Sequence, residues 1–417
     1  MKLELCRFKV SDARFAGATR LEKGMLYINK GELIQAINRE GLFESVDVEI
    51  ARPGESVRII HVMDAVEPRL KVEGGTTPFP GITGRMEIAG KGRTNVLDGV
   101  AVIQTGRRQG IQEGIIDMSG PGANYSLFSR TVNLVLLCTP ASGMNDVEFD
   151  RATRLATLEA AMYLAEVTRE AVPDEVEVYD IDTLAVKDNL PRVVYIYHLQ
   201  SQGLLRDTFV YGEHARALLP TLLHPNEVLD GAITSGNYII ACQKNPTYLH
   251  LNNPVVRELG RRHGRELIFA GVIIANEHST LMEKNRSAVF AAKLAQQVGA
   301  QGAIITQEGG GHADTDLMLT CRECEKLGIK TVIIANEIAG KDGTLPSLVD
   351  TTPEADAVVT TGNNDEMVSL PPVNRVIGGS EIAGIEGAPE SGFVTALGRI
   401  YTATNQLGAT RLTVREY

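Results

Sequence analysis

Three pairs of one type, an amide followed by a glutamate, are the first candidates for chemistry. Asn276-Glu277 follows Val-Ile-Ile-Ala, Gln307-Glu308 follows Ala-Ile-Ile-Thr, and Asn336-Glu337 follows Val-Ile-Ile-Ala. Because ligands of open α/β sheets bind beyond the carboxyl ends of the strands, we expect these three glutamates to converge on one crevice. The preference of acids for helix N-termini offers a simpler explanation. We favour the crevice, where the carboxylates would receive an ammonium group.

A run of glycines, Gly309, Gly310 and Gly311, directly follows the second of these pairs. Backbone N–H groups at such a turn before a helix can hold a carboxylate or a phosphate. The run has neither the Gly-Lys-Ser/Thr of a Walker A sequence nor the spacing of a G-x-G-x-x-G fingerprint. A tight turn that needs positive φ explains the glycines equally well. We expect the run to supply N–H donors for the carboxylate of a zwitterionic substrate.

The cysteines give a weaker signal when only composition and spacing are used. Cys321 and Cys324 have C-x-x-C spacing, but they share one predicted helical face with Leu317 and no second pair exists. We therefore predict that both thiols pack in the core rather than bind zinc. Cys242 follows an apolar run, 239–241, and is by composition also a core residue. The eight histidines show no ligand spacing, so no metal site is predicted.

Alternating strands and helices after residue 190 must position these groups. Apolar runs predict strands at 193–197, 267–275, 303–306, 331–335 and 357–360. Helices are predicted at about 279–298 and 314–327, each followed by a glycine, and Asn253-Pro254 begins another. Repeated strand–helix units imply a doubly wound, mostly parallel sheet. We assign residues 191–417 to an α/β domain that carries the Cys242 segment.

The first third of the sequence follows a different pattern. Short alternating stretches such as 58–62 and 100–103 are separated by turn sequences rich in glycine and proline. This pattern predicts a β-rich N-terminal domain over residues 1–147. A helix is predicted at about 148–171, with apolar residues at helical spacing and Pro173 at its end. We assign residues 148–190 to this helix and a connector.

Composition bounds the class of protein. A chain of 417 residues with 43% hydrophobic and 22% charged residues is typical of a folded protein with two domains. Its net charge of −11 disfavours nucleic acid or an anionic membrane as a partner, because both require a basic face. The N-terminus has no apolar secretory segment, and the five cysteines do not form a disulfide framework. We therefore expect a cytoplasmic protein.

Long motifs along the chain resemble the pyruvoyl-type proprotein subunit (subunits alpha and beta) of component B of the glycine/sarcosine/betaine reductases. In the second half the matching stretches are QSQGLLRDTFVYG, TLLHPNEVLDGAITSGN, ACQKNPTYLHLNNP and TQEGGGHADTDL. In the first half they are ARPGESVRI, EPRLKVEG and QEGIIDMSGPGA. The likeness covers nearly the whole chain, and the D-proline reductase proprotein is a more distant resemblance. An independent NAD(P)-dependent dehydrogenase is disfavoured by the missing fingerprint.

The resemblance implies a proprotein that is cut before a cysteine, which becomes a pyruvoyl cofactor. In this sequence that cysteine is Cys242, the broken bond is Ala241–Cys242, and Asn245 and His250 are candidates for assisting the cleavage. The thiol attacks the preceding carbonyl, and β-elimination followed by hydrolysis leaves the ketoacyl group. Its carbonyl condenses with the amine of glycine or of an N-methylated glycine as a Schiff base.

The resemblance also implies partner proteins. A selenolate or thiolate of a carrier protein takes the carboxymethyl group while ammonia leaves, so the reaction is a reductive C–N cleavage. The expected partners are a second component B subunit and this selenol/thiol carrier. In the alternative that stays open, the chain is an unprocessed homologue that acts as a scaffold or an amino-acid-binding subunit of a related reductase.

Overall fold

The computed structural model describes residues 1–106, 114–185, 187, 189–202, 208–236 and 243–412. Over these residues the fold is a mixed α/β arrangement in which many strands form several separate sheets. This class agrees with the sequence prediction. None of the helices in the described ranges is both long and apolar enough to cross a membrane.

The first half of the chain is rich in strands, as its turn-separated alternating stretches predict. The strands are β1 (Lys2–Lys9), β2 (Asp12–Phe15), β3 (Arg20–Glu22), β4 (Met25–Ile28), β5 (Phe43–Ala51), β6 (Val57–Ile59), β7 (Val62–Val66), β8 (Arg69–Glu73), β9 (Gly92–Asp98), β10 (Val100–Thr105), β11 (Ile116–Asp117), β12 (Val132–Pro140) and β13 (Glu175–Asp180). Two four-stranded sheets have the orders β13-β1-β9-β8 and β5-β12-β10-β7. Between them these two sheets use most of the longer strands.

The second half adds further strands. They are β14 (Arg192–Leu199), β15 (Thr208–Val210), β16 (Glu213–His214), β17 (Thr221–Leu223), β18 (Ile233–Ser235), β19 (Ile268–Asn276), β20 (Gly302–Gln307), β21 (Lys330–Glu337), β22 (Val358–Asn363), β23 (Met367–Leu370), β24 (Arg375–Ile377) and β25 (Phe393–Ala396). β24 pairs with β6, and Ile115 forms a bridge with Ile400, so the end of the chain packs on the N-terminal region. The domain boundaries at 147 and 190 stay predictions.

The helices connect and cover these sheets. The α-helices are α1 (Lys30–Ile37), α2 (Asp146–Ala165), α3 (Pro225–Leu229), α4 (Thr247–Leu251), α5 (Pro254–Arg262), α6 (Leu281–Gln297) and α7 (Asp314–Lys326). Short 3₁₀ turns lie at Pro121–Asn124, Leu127–Arg130, Glu166–Thr168, Ala215–Ala217, Gly311–Ala313 and Leu397–Arg399. α6 and α7 begin and end within a few residues of the predicted positions, and α5 begins at Pro254, as its cap predicts.

Helix α2 begins at a capping box. The Asn145 side chain accepts from the backbone N–H groups of Val147 and Glu148 at 3.0 Å, and Glu148 accepts from Asn145 N at 3.0 Å. The helix was predicted to run to about residue 171, but it ends at Ala165. The Thr168 hydroxyl donates to the Ala165 carbonyl at 2.6 Å, and this side-chain bond takes the place of the next helical hydrogen bond.

A six-stranded sheet of order β17-β19-β14-β20-β21-β22 forms the centre of the second half. Its last five strands in this order pair in parallel and correspond to the five predicted strands, whereas β17 is an antiparallel edge. The chain between β14 and β19 contains β15–β18 and α3–α5 rather than a single crossover helix. The strand order alone does not establish the doubly wound arrangement, which stays a prediction.

The two faces of this sheet bury different side chains because successive residues of a strand point to opposite faces. Val194 and Ile196 pack with residues of α6 and α7, and Tyr195 and Tyr197 pack with residues of α5. Cys321 and Cys324 of α7 are fully buried on the face that carries Val194 and Ile196, as their shared helical face predicts. Burial raises the pKa of Cys324 to about 12.

Candidate functional site

A buried tyrosine at the carboxyl end of β14 begins the candidate site. The Tyr197 ring stacks on Tyr195 with the ring centroids 5.3 Å apart, and both rings are fully buried. The Tyr197 hydroxyl accepts from Asn245 Nδ2 at 2.8 Å and lies 2.9 Å from His250 Nδ1. Burial raises the pKa of Tyr197 well above its usual value, so the phenol keeps its hydrogen.

Glu308, which follows β20, joins three segments of the chain. Its Oε2 accepts from Gln200 N at 2.9 Å and from the Thr208 hydroxyl at 2.6 Å. Its Oε1 accepts from Asn245 N at 3.3 Å and lies 3.5 Å from His250 Nε2. The carboxylate is buried, and donors from these residues compensate for the loss of water around it.

His250 of α4 is an uncharged member of this group. Burial, together with the nearby Lys244 ammonium, lowers the pKa of His250 to about 3. The imidazole is therefore neutral at pH 7, although Glu308 lies within ion-pair distance. We give burial more weight than this contact because the ring is fully buried and 3.5 Å is long for a charged hydrogen bond.

The chain just before α4 is held by a buried turn near the C-terminus. Asn405 Nδ2 donates to Asn245 Oδ1 at 2.6 Å, and Gly309 N donates to Gln243 O at 2.9 Å. Gln406 Nε2 donates to the Gly309 carbonyl and, at 2.9 Å, to Asn336 Oδ1. The turn therefore links residues 243–245 to the glycine run and to the end of β21.

A second group of hydrogen bonds holds the chain just before residues 237–242, at Ser235. The Thr247 hydroxyl accepts from Ser235 N at 3.0 Å and donates to Asp64 Oδ2 at 2.7 Å. Thr247 N also donates to Asp64 Oδ1 at 2.9 Å. Burial raises the pKa of Asp64, which lies on β7, while Lys244 opposes this shift. β7 and β18 are thus joined to the start of α4.

The sequence-predicted residues fall into separate groups. Ala241 and Cys242 lie outside the described residues. Asn245, His250 and Glu308 are brought together by the contacts above. Whether these residues act in cleavage or in substrate binding stays a prediction.

Glu277 and Glu337 have contacts different from those of Glu308. Glu337 accepts from the Thr360 hydroxyl at 2.5 Å and from Ser347 Oγ at 3.4 Å. It lines a cavity of about 770 Å³ together with Met318 of α7. Glu277 is fully buried, and its N–H donates to Leu199 O at 3.2 Å.

The strand pleat explains this separation. Ile333 and Ala335 of β21 pack on the α6/α7 side, so Glu337 continues that face. Glu308 contacts His250 and Asn245, which lie on the side of Tyr197. The convergence of the three glutamates on one crevice is therefore not supported by the contacts of Glu308 and Glu337. Their role toward a substrate stays a prediction.

The glycine run adopts the conformation of a tight turn. Gly309 has φ +77° and Gly311 has φ +71°, values that favour glycine. Gly310 is extended, and a Cβ atom there would lie 2.8 Å from Gln243 Nε2. The turn explanation accounts for Gly309 and Gly311, and the close approach of Gln243 accounts for Gly310. The expected binding of a carboxylate by their N–H groups stays a prediction.

Sequence reasoning missed several polar residues of this network. They are Asp64, Tyr197, Thr208, Thr247, Asn405 and Gln406. Tyr197 gives the only local signal, because a tyrosine in an otherwise apolar strand needs a partner for its hydroxyl when it is buried. The others come from segments far apart in sequence, so only the fold reveals their contacts.

Comparison with known proteins places the chain among reductase components. Residues 1–415 match the model of the family described as glycine/sarcosine/betaine reductase component B subunits. The chain is 46% identical to the glycine reductase complex component B subunits alpha and beta of Peptoclostridium acidaminophilum and 45% identical to those of Acetoanaerobium sticklandii. It is 42% identical to the sarcosine reductase complex component B subunit alpha of Peptoclostridium acidaminophilum. These three alignments cover all of both chains.

A more distant likeness agrees with the sequence prediction. The chain is 24% identical over 351 residues to the D-proline reductase proprotein PrdA of Acetoanaerobium sticklandii, covering 79% of this chain and 54% of that one. No solved structure matches the chain. Since the family match spans nearly every residue and the full-length relatives exceed 40% identity, the chain belongs to the family of glycine/sarcosine/betaine reductase component B subunits.

Proposed function

We propose that this chain is the substrate-binding subunit of a reductase complex that cleaves the C–N bond of glycine or an N-methylated glycine. We further propose that it is cut between Ala241 and Cys242 and that Cys242 becomes a pyruvoyl group. The observation that carries this proposal is the buried network that holds the chain on both sides of residues 237–242. Thr247 holds Ser235, which precedes the segment, and Glu308 holds Asn245, which follows it. Such pre-organisation is what a self-cleaving segment needs.

The names of the relatives support the cut. Two full-length relatives bear the names of two subunits, alpha and beta, although each aligns with this chain from end to end. One polypeptide that provides two subunits has to be divided. Division before Cys242 would give the pieces 1–241 and 242–417.

The residues around the segment fit a reactive carbonyl. A pyruvoyl group at position 242 would supply a carbonyl that withdraws electrons from a bound amine. Glu308 holds Asn245 N, and Asn405 holds the Asn245 side chain, so the backbone three residues after position 242 has a fixed position. Neutral His250 and protonated Tyr197 lie in the same buried group. Both side chains are fully buried, so this part of the network excludes bulk water.

The reducing thiol has to come from a partner protein. Among the described cysteines, Cys6, Cys321 and Cys324 are buried and Cys138 is partly buried. Burial raises the pKa of all four, to about 12 for Cys138 and Cys324. A thiol with a raised pKa forms little thiolate, and the thiolate is the nucleophile. We therefore propose a carrier protein with a reactive thiol or selenol, together with a second component B subunit.

We propose that the substrate binds at the carboxyl edge of the six-stranded sheet. Glu277, Glu308 and Glu337 end or follow strands at this edge, and Gly309 begins the turn beyond it. We keep Glu277, the buried glutamate after β19, as the first candidate for the substrate ammonium. Glu308 is better suited to fixing the processed chain because donors from other residues already surround it.

Intact-mass analysis of the purified chain tests this proposal. We expect two pieces, 1–241 and 242–417, with no free amino group at the start of the second. Cys242→Ala should abolish the cut, whereas Cys321→Ala, which removes a buried thiol elsewhere, should leave it unchanged. A chain that stays whole in the presence of its partner proteins would contradict the proposal and favour the unprocessed scaffold.

A further inference from the structure

A chain of hydrogen bonds with a single direction runs through the buried network. It begins at a backbone N–H of Leu407, passes through the side chains of Asn405, Asn245 and Tyr197, and ends at His250. The side chains of all four of these residues are fully buried. A backbone N–H can only donate, so the direction of the whole chain is set at its first member.

The first two amides follow from that start. Leu407 N donates to Asn405 Oδ1 at 3.0 Å, so the amide nitrogen of Asn405 points the other way. It donates to Asn245 Oδ1 at 2.6 Å. The Asn245 amide is fixed in turn, and its Nδ2 donates to the Tyr197 hydroxyl at 2.8 Å.

The hydroxyl passes the direction on to the imidazole. Tyr197 accepts from Asn245, so its own hydrogen is left to donate, and His250 Nδ1 lies 2.9 Å away. If Nδ1 carried a hydrogen instead, the phenol hydrogen would have no acceptor among the described atoms. A buried O–H without an acceptor is strongly disfavoured.

We infer that Asn405 is a positioning residue that sets the tautomer of His250, with the hydrogen on Nε2 and a lone pair on Nδ1. The protonated Nε2 then lies 3.5 Å from Glu308 Oε1, within ion-pair distance but without a hydrogen bond. The charged or titratable groups around the ring are Lys244, Glu308 and Tyr197. The low pKa of His250, near 3, agrees with a single hydrogen on the ring.

This assignment extends the proposed function, in which Glu308 fixes the chain after Cys242. A lone pair on Nε2 would repel the Glu308 carboxylate, whereas a hydrogen attracts it. Asn405 therefore supports Glu308 without touching it, through a route of three other side chains. The inference itself rests on contacts within the described residues and does not require the chain to be cut.

The tautomer can be read directly by nitrogen NMR of the full chain labelled with ¹⁵N-histidine. The chain has eight histidines, and His250 is assigned as the signal missing from His250→Gln. We expect His250 Nδ1 to give a lone-pair-type shift and Nε2 an N–H-type shift. The opposite pattern would overturn the inference, and this measurement needs no change to the network.

Asn405→Asp reverses the direction of the chain. An ionised aspartate only accepts, so the Asn245 amide must turn to donate to it and presents its oxygen to Tyr197. Because burial raises the pKa of a carboxyl group, the spectra are recorded at the highest pH at which the variant stays folded. The phenol then donates to Asn245, and His250 must place a hydrogen on Nδ1. We expect the Nδ1 signal to change to the N–H type. A folded variant whose Nδ1 signal is unchanged would overturn the inference.

A matched control makes the same chemical change outside the network. Asn95 is a buried amide whose Nδ2 donates to Thr168 O at 2.9 Å, so Asn95→Asp also removes a buried donor. It should leave the His250 signals as they are. Cleavage is followed in the same samples, and we expect it to be several-fold slower in Asn405→Asp than in Asn95→Asp. An uncut wild-type chain would count against the proposed function, whereas the tautomer would still test the inference.

Discussion

Glu308 shows how one side chain can fix distant parts of a chain. Its two oxygens hold Gln200 N, the Thr208 hydroxyl and Asn245 N, which belong to segments before and after residues 237–242. The sequence marked Glu308 through its place after a strand, but it predicted binding of a substrate ammonium. The sequence could not show that Gln200 N, the Thr208 hydroxyl and Asn245 N already donate to this carboxylate.

Glu308→Gln should therefore affect both stability and cleavage. The amide replaces one acceptor by a donor that faces other donors, and a buried hydrogen bond lost in this way costs about 1–3 kcal/mol. We expect a lower free energy of unfolding and slower cutting before Cys242, measured by denaturant unfolding and by mass. Glu258→Gln changes an exposed carboxylate that pairs with Arg262, so it should change neither quantity. Normal cutting in Glu308→Gln would remove Glu308 from the proposed role.

The buried histidines predict how stability depends on pH. Burial lowers the pKa of both His198 and His250 from 6.5 to about 3, so the unfolded chain binds protons that the folded chain does not. Stability is complete above pH 6.5 and falls as the pH decreases toward 3. Between pH 6.5 and 5 each histidine should cost about 2 kcal/mol.

Unfolding curves over this pH range provide the test. His198→Gln and His250→Gln should each flatten the dependence of the free energy of unfolding on pH. His312→Gln changes an exposed histidine whose pKa is lowered less, so it should flatten the slope less than either buried ring does. Curves of His198→Gln and His250→Gln with the slope of the wild-type chain would contradict the burial of the two neutral rings.

At the scale of elements, sequence patterns predicted the strands and helices well and their relations less well. The five parallel strands β14, β19, β20, β21 and β22 were predicted because long apolar runs between helix signals are specific. The predicted convergence of the glutamates is not supported by the contacts of Glu308 and Glu337, because the face on which each of them lies depends on the register of its strand. The turn around Asn405 has no periodic pattern that would reveal its contacts.

The glycine turn after β20 allows a prediction that separates close packing from backbone conformation. Gly310 is extended, so an alanine there is not strained, but its Cβ would lie 2.8 Å from Gln243 Nε2. We expect Gly310→Ala to displace the Gln243 side chain and slow the cut before Cys242, with a change of unfolding free energy below about 1 kcal/mol. Gly302→Ala, whose nearest neighbours are 3.7 Å away, is the matched control. Equal cutting rates in both variants would show that Gln243 does not matter.

At the scale of the whole molecule, the two halves of the sequence are not two independent bodies. The sequence predicted a β-rich region followed by an α/β region, and both types of structure are present. β24 of the second region pairs with β6 of the first, and Asp64 of β7 holds Thr247 of α4. Contacts between residues 183 to 318 positions apart leave no local signal, so composition and periodicity could not reveal them.

The order of the six-stranded sheet determines whether the two pieces that the proposed cut would give can separate. β14 and β17 precede residue 242, whereas β19, β20, β21 and β22 follow it. Since β14 lies between β19 and β20, the proposed cut before Cys242 would give two pieces whose strands alternate within one sheet. They should therefore stay together in high salt and separate only in denaturant.

Because the strands of the two pieces alternate, unfolding after the proposed cut should be irreversible. An uncut Cys242→Ala chain holds β14 close to its neighbours during folding, whereas two separate pieces must first meet, and each exposes unpaired strand edges. After unfolding in denaturant and dilution, we expect the uncut variant to regain its structure and the cut protein to aggregate, as measured by circular dichroism and light scattering. Equal recovery would contradict this. For the cut protein, survival then depends on how slowly it unfolds, and its lifetime becomes a matter of rate rather than of equilibrium.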